Sequence, residues 1–260
     1  MALVEYKQEN GIGYITLNRP EKLNAFSDEL VGALGEALHR FDADETAHIA
    51  ILCGTGRAFS SGADVQQRQL RSREEFLKLG GPQGRGTHSS DLLTKAVNWK
   101  PVIAAAHGYV LGLSVGIVLE CDLIVAEEGT RFQITETSRG LGAGKYWALM
   151  HYRGGGAFTM EAALTGRFFT AEEAHKANLI NRVAPKGEYL KVARGLADEV
   201  LKNPPLSVRS TVRMRRYYMD RLSREVMFMG APEKLYLSED FGEAARAFAE
   251  KRKPKPFKGR

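Results

Sequence analysis

Glu136 lies in the run Phe132-Gln133-Ile134-Thr135-Glu136-Thr137-Ser138-Arg139-Gly140, with no second acid beside it. A carboxylate held among apolar groups has its pKa raised toward neutrality and becomes able to take up and return a proton near pH 7. One such group suffices to move a proton from carbon to carbon, whereas adding water across a carbon-carbon double bond calls for two positioned acid/base groups. The plain structural alternative for Glu136 is an ion pair with Arg139, three residues on.

Two upstream segments have the composition of an oxyanion site. Gly54-Thr55-Gly56-Arg57-Ala58-Phe59-Ser60-Ser61-Gly62-Ala63-Asp64-Val65 follows the apolar run Ile49 to Cys53, and its small residues let a ligand approach backbone N–H groups. Lys100 to Ser114 reads as a strand, a turn and the start of a helix, whose first amides are unpaired and carry the positive end of the dipole. Each segment could give one N–H to a developing enolate.

These groups need a scaffold, and the hydrophobic pattern supplies one. Val4 to Lys7 and Gly13 to Asn18 alternate as a hairpin about Glu9-Asn10-Gly11. Ser27 is placed as the N-cap of a helix to about Phe41, striped by Leu30, Ala33, Leu34, Ala37 and Leu38. Ile49 to Cys53, Val102 to Ala106, Leu123 to Ala126 and Leu179 to Val183 read as buried strands. Leu113 to Glu120 and Gly155 to Leu164 read as helices, and Thr170 to Glu173 as a capping box opening another. This alternation defines an α/β core. From Gly187 the pattern turns helical: Tyr189 to Lys202, Pro205 to about Tyr218, Leu222 to about Met229 and Ser238 to Lys251, with Gly230 and Pro232 as interruptions. The domain expectation is a core over 1–190 and a helical region with a basic tail over 191–260. Gly80 to Gly86 is the loosest stretch and is expected to be a mobile loop.

The 260 residues can bury a full core, and a hydrophobic fraction of 43% with 26% charged residues fits a soluble globular enzyme. There is no apolar run long enough for a membrane span and no signal-peptide pattern at Met1 to Tyr6, so a cytoplasmic protein with no membrane partner is expected. Cys53 and Cys121 sit in apolar stretches as free thiols, and no metal site is expected. Six of the 37 basic residues fall within 251–260, where there is no acid, leaving 31 basic and 31 acidic residues elsewhere. A neutral body without an aromatic-basic platform argues against a nucleic-acid partner. The tail could meet an anionic membrane, clamp one phosphorylated ligand, or be a solvated terminus.

Asn18-Arg19-Pro20-Glu21-Lys22-Leu23-Asn24-Ala25, Ala58-Phe59-Ser60-Ser61-Gly62-Ala63-Asp64, Lys100-Pro101-Val102-Ile103-Ala104-Ala105, Gly108-Tyr109-Val110-Leu111-Gly112, Cys121-Asp122, Leu164-Thr165-Gly166 and Glu250-Lys251-Arg252-Lys253-Pro254 together resemble the crotonase superfamily of enoyl-CoA hydratases and isomerases. The resemblance runs in order from Gly13 to the C-terminus. It implies a crotonase-like spiral of ββα turns, C-terminal helices that assemble a homotrimer or hexamer, and a substrate carried as a coenzyme A thioester, with no separate cofactor. It also implies that the Ala63 and Leu113 amides hold the thioester oxygen, that Glu136 is a catalytic carboxylate, that Lys22, Ser61 and Asp64 lie near the adenine end, and that Phe257 and Lys258 approach the coenzyme.

Where hydratases of that family usually carry a first catalytic carboxylate, this chain has Gly116, and the bulky Leu113 stands at the oxyanion position where a small residue is usual. Double-bond isomerisation by Glu136 alone is therefore the leading expectation. The alternatives are hydration of a 2-enoyl-CoA with a non-standard second acid/base, and a non-catalytic acyl-CoA binder. Glu120, one helical turn beyond Gly116, is a weaker second carboxylate that more often pairs locally. His107, at a strand end, is read as a core histidine rather than a catalytic one. Lys145 and Tyr146 stand where small residues are common and could shape the acyl pocket, as could Arg85 and His88.

Overall fold

The computed structural model describes residues 2–82, 93, 96, 97 and 99–260. Arg85, His88 and Gln83 to Gly86 of the expected loop lie outside the described residues. In chain order the helices are α1 (Asp28–Ala43), α2 (Val65–Arg68), α3 (Arg73–Leu79), α4 (Leu113–Glu120), α5 (Gly144–Arg153), α6 (Gly156–Thr165), α7 (Ala171–Lys176), α8 (Tyr189–Leu201), α9 (Pro205–Gly230) and α10 (Glu239–Ala249).

A hairpin opens the fold. β1 (Val4–Glu9) pairs antiparallel with β2 (Ile12–Leu17), and the chain reverses through Asn10 and Gly11, both at positive φ. β2 then pairs parallel with β3 (Ile49–Gly54), β3 with β4 (Val102–Ala106), β4 with β6 (Leu123–Glu127) and β6 with β9 (Arg182–Ala184), giving one six-stranded sheet. A second sheet joins β5 (Tyr109–Leu111), β7 (Arg131–Gln133) and β8 (Phe168–Thr170).

Both faces of the large sheet are covered, so its central strands are apolar at every position. Ile15, Leu17, Ala50, Leu52, Ala104 and Ala106 face one core with Leu30, Leu34, Leu38 and Phe41 of α1. Ile12, Ile49, Ile51, Ile103, Ala105 and Val125 face the other with Ala193, Leu196 and Ala197 of α8. The period-2 partition follows from alternate side chains leaving a strand on opposite faces.

The structure corrects two boundaries. β9 begins at Arg182, not Leu179; Leu179 and Ile180 are buried in the preceding turn instead. α9 is continuous from Pro205 to Gly230, where two helices were expected. Tyr218 to Leu222 contain no Gly or Pro, and the inward stripe Val212, Arg216, Met219, Ser223 crosses that interval without losing helical spacing. Arg216 anchors this helix, donating to Val97 O at 2.6 Å, Lys100 O at 2.5 Å and Asp122 Oδ2 at 2.8 Å.

The basic tail is docked on its own chain. Arg252 pairs with Glu243 and Glu250, while Lys258 and Arg260 pair with Glu239. The Lys258 and Gly259 amides donate to the two Asp240 oxygens at 2.8 Å. Acids at the start of α10 thus answer part of the charge that is unmatched within the tail itself.

Candidate active site

Residues 58–62 run alongside 107–111. Phe59 N donates to His107 O at 2.9 Å, Ser60 N to Tyr109 O at 3.0 Å, and Leu111 N to Ser60 O at 3.2 Å. The fully buried Ser114 Oγ lies 3.1 Å from Ser60 O and 2.9 Å from Leu111 O, tying the head of α4 to the first loop. Ser60 Oγ donates to Asn24 O at 2.7 Å and accepts from Gly62 N at 3.1 Å. Asn24, also fully buried, spends its amide on Thr55 O and Ala58 O. The roles of Asn24 and Ser114 escaped the sequence reading; the signal was a small polar residue inside each apolar or turn segment.

This bracing brings the two expected oxyanion donors together. Gly62 has φ of +89°, and a Cβ there would stand 3.6 Å from Leu113 N. Ala63 is bridged to Phe26 through its neighbours, Gly62 O accepting from Phe26 N and Asp64 N donating to Phe26 O, so its own amide faces the other way. Among the described residues neither the Ala63 nor the Leu113 N–H has a backbone acceptor. Leu113 opens α4, where the amides are free by construction of the helix.

Glu136 follows β7 and begins the short 3-10 turn Thr137–Arg139. Its Oε1 is 3.4 Å from where a Cβ of Gly112 would be, which sets the carboxylate beside the residue preceding the Leu113 amide. The residue is 9% exposed. Burial pushes its pKa up to about 7, against smaller opposing effects of the Tyr146 hydroxyl, nearby backbone amides and Arg139. The guanidinium of Arg139 lies 3.5 Å from the centre of the Phe248 ring, so it acts on Glu136 only through its field.

Gly116 sits in the middle of α4, a helix buried along its whole length, and offers no carboxylate. Glu120 pairs with Lys145 at 3.3 Å, both nearly excluded from solvent. Tyr146, the next residue, is 4% exposed and close enough to Glu136 to act on its charge. Within hydrogen-bonding geometry, however, neither Tyr146 Oη nor Glu136 Oε2 has a partner. His107 stacks on Tyr189 with ring centres 4.6 Å apart and meets Gly56 O through Nε2 at 3.0 Å, as a core histidine would.

Of the residues expected near the coenzyme, Lys22 and Ser61 are neighbours. Ser61 N donates to Leu23 O, and Ser61 Oγ to Lys22 O at 3.4 Å, leaving the Lys22 side chain exposed. Asp64 is engaged within the chain: it caps α2 by accepting from Gln67 N and pairs with Arg19 at 2.9 Å. Phe257 is 53% exposed. Lys258 is tied to Glu239 and Asp240, and the start of α10 packs against Gly140, at the end of the turn that carries Glu136. The tail is therefore near that turn.

An α/β core in which the Gly62 loop lies against the start of α4, with Glu136 buried beside Gly112, fits a protein of the crotonase superfamily. The chain belongs to its enoyl-CoA hydratase/isomerase family, whose profile matches residues 7–260. It is 34% identical to the mevalonyl-coenzyme A hydratase sidH of Aspergillus fumigatus over 247 residues, covering 92% of this chain and 89% of that protein. It is 32% identical to a putative enoyl-CoA hydratase of Thermus thermophilus, covering 95% of this chain and 98% of that one. The fold is similar to the crystal structure of carnitinyl-CoA hydratase from Mycobacterium avium, with a TM-score of 0.82 at 28% identity over the full length of both chains. Among the described residues no helix is long and apolar enough to cross a membrane.

Proposed function

We propose that this enzyme isomerises the double bond of an enoyl-CoA thioester, using Glu136 as the single carboxylate. The observation that carries the reading is the buried Glu136 carboxylate set against Gly112, next to the Leu113 and Ala63 amides, in a site where residue 116 has no side chain. Glu136 takes a proton from C2 of a 3-enoyl thioester. The charge passes to the thioester oxygen, where two preorganised N–H donors stabilise it; one such donor is worth about 10²–10³ in rate. Return of a proton at C4 leaves the double bond between C2 and C3.

The same reading gives Lys22, Ser61, Phe257 and Lys258 contact with coenzyme A, and Asp64 the task of holding the loop that carries Ser61. It also makes the enzyme a homotrimer or hexamer, supported by the exposed apolar side chains Leu206, Met214, Phe228 and Met229 along α9. A monomer in sedimentation at micromolar concentration would count against assembly.

Hydration of a 2-enoyl-CoA is the second reading, favoured because the relatives bear hydratase names. Incubation with crotonyl-CoA and with a 3-enoyl-CoA in heavy water separates the two. Double-bond migration without a mass increase for added water supports the isomerase; addition of heavy water to crotonyl-CoA overturns it in favour of hydration. Thioester binding with neither reaction, unchanged in Glu136→Gln, would indicate a non-catalytic binder.

A further inference from the structure

We propose that Tyr146 is a second catalytic residue, which delivers a proton to the far carbon of the substrate and is then reprotonated by Glu136. This rests on the isomerase reading above. Tyr146 Oη and Glu136 Oε2 are both buried and make no hydrogen bond of normal geometry, while the Tyr146 hydroxyl and the Glu136 carboxylate are close enough to shift one another's titration. A buried phenol with no partner is costly, and phenylalanine would fill the same space without that cost. The neighbouring pair Lys145–Glu120 fastens the first turn of α5 to the end of α4, and so holds the ring in place. Gly116 gives nothing to share the work, and Glu120 is committed to Lys145.

The step balances. Glu136 carboxylate removes the C2 proton, and the C3–C4 double bond becomes conjugated with the enolate held by Ala63 and Leu113. The O–H bond of Tyr146 breaks as a C–H bond forms at C4, the enolate electrons closing the C2–C3 double bond and restoring the thioester carbonyl. The tyrosinate then takes the proton from the Glu136 carboxylic acid, returning both groups to their starting forms. That last transfer runs downhill, because burial and the Glu136 charge hold the phenol well above its ordinary value while Glu136 titrates at about 7.

The test compares the parent enzyme with Tyr146→Phe and Glu136→Gln in two assays: isomerisation of a 3-enoyl-CoA, and exchange of C2 hydrogens of butanoyl-CoA with heavy water. Exchange needs only the base and the oxyanion donors. For Tyr146→Phe we expect an unchanged or higher melting temperature, kcat for isomerisation lowered by about 10²–10⁴ with KM little altered, and exchange retained. Glu136→Gln is expected to lose both reactions. Isomerisation by Tyr146→Phe at the parent rate overturns the relay and leaves the Glu136 reading standing. Loss of exchange together with isomerisation in Tyr146→Phe also overturns it, by showing that the ring acts on Glu136 alone. Exchange surviving in Glu136→Gln, or no isomerisation by the parent, overturns the underlying reading and the relay with it. A measurement on the parent does not depend on any variant folding: with C2-dideuterated substrate in ordinary water, the first turnover should place protium at C4. Deuterium there means direct return by Glu136 and overturns the relay.

Discussion

Gly62 stands so close to the peptide at Leu111 that a methyl group on it would lie 2.5 Å from Leu111 O and 3.6 Å from Leu113 N. Its φ of +89° is closed to most side chains, so alanine would meet both a clash and backbone strain. Gly112, at φ +50° and ψ −120°, is similarly placed, because its Cβ would stand 2.5 Å from Thr135 Oγ1. Gly62→Ala and Gly112→Ala should each lower stability by about 1–3 kcal/mol from strain alone. Each should also lower kcat at least about tenfold by separating the two amides, as a misplaced oxyanion donor costs roughly that or more. Thermal melts and steady-state kinetics check both.

Glu136→Gln should reduce kcat by about 10²–10⁴ while acyl-CoA affinity, measured by calorimetry, stays within a few-fold. In the parent, kcat/KM should rise with pH through about 7 and then level, since the base works ionised. A flat profile from pH 5 to 9 would contradict the assignment of Glu136 as the base.

The same carboxylate carries a stability signature. Its folded value of about 7 exceeds its ordinary 4.5, so between these values the folded chain binds more protons than the unfolded one. The contribution is fully favourable below the lower value and is lost as pH rises through the upper, at most roughly 3 kcal/mol. Glu136→Gln should therefore melt higher than the parent at pH 8, with the gap closing by pH 4.5. Equal gaps at both pH values would show that ionisation of Glu136 is not the cause.

Glu120→Ala removes a carboxylate from a nearly solvent-free pair and takes from the Lys145 ammonium its Glu120 partner. Breaking such a pair costs about 3–5 kcal/mol, whereas replacing both partners by apolar residues is much milder. Denaturant melts of Glu120→Ala and of a Glu120→Leu, Lys145→Met double variant should show that order. The reverse order would mean that the pair does not fasten α5 to α4.

Lys258→Ala should raise KM for acyl-CoA several-fold, as expected for one charge contact, with kcat unchanged, because the residue sits in the docked tail, held by Glu239 and Asp240. The same change in kcat and kcat/KM would instead place it in the chemical step.

The hairpin, α1, β3, β4 and α4 were legible because each is long enough to show its own period. The segments holding Ala63 and Leu113 showed a local signature, but the two residues themselves, like the role of Glu136, were named through the family resemblance. What brings them together could not be read locally. Ser114 meets Ser60 across a separation of 54 residues, and β5, β7 and β8, which carry Leu111 and Gln133 to the site, are three-residue strands too short to alternate visibly. Tyr146 was visible only as an unusual large residue; its approach to Glu136 depends on how α5 packs on α4. The tail looked unpaired because its partners Glu239, Asp240 and Glu243 lie on a helix that its own sequence does not reveal as a neighbour.

The hydroxyl of Ser114 has a further effect on what can bind. Its single proton is shared between the carbonyls of Ser60 and Leu111, while Gly62 O accepts from Phe26 N and Gly112 O from Val115 N. Around the two open amides these backbone carbonyls are spent within the chain, and the acceptor beside them is the Glu136 carboxylate. What the backbone leaves for a ligand is donor polarity at Ala63 and Leu113. It favours a ligand oxygen more strongly as that oxygen gains electron density.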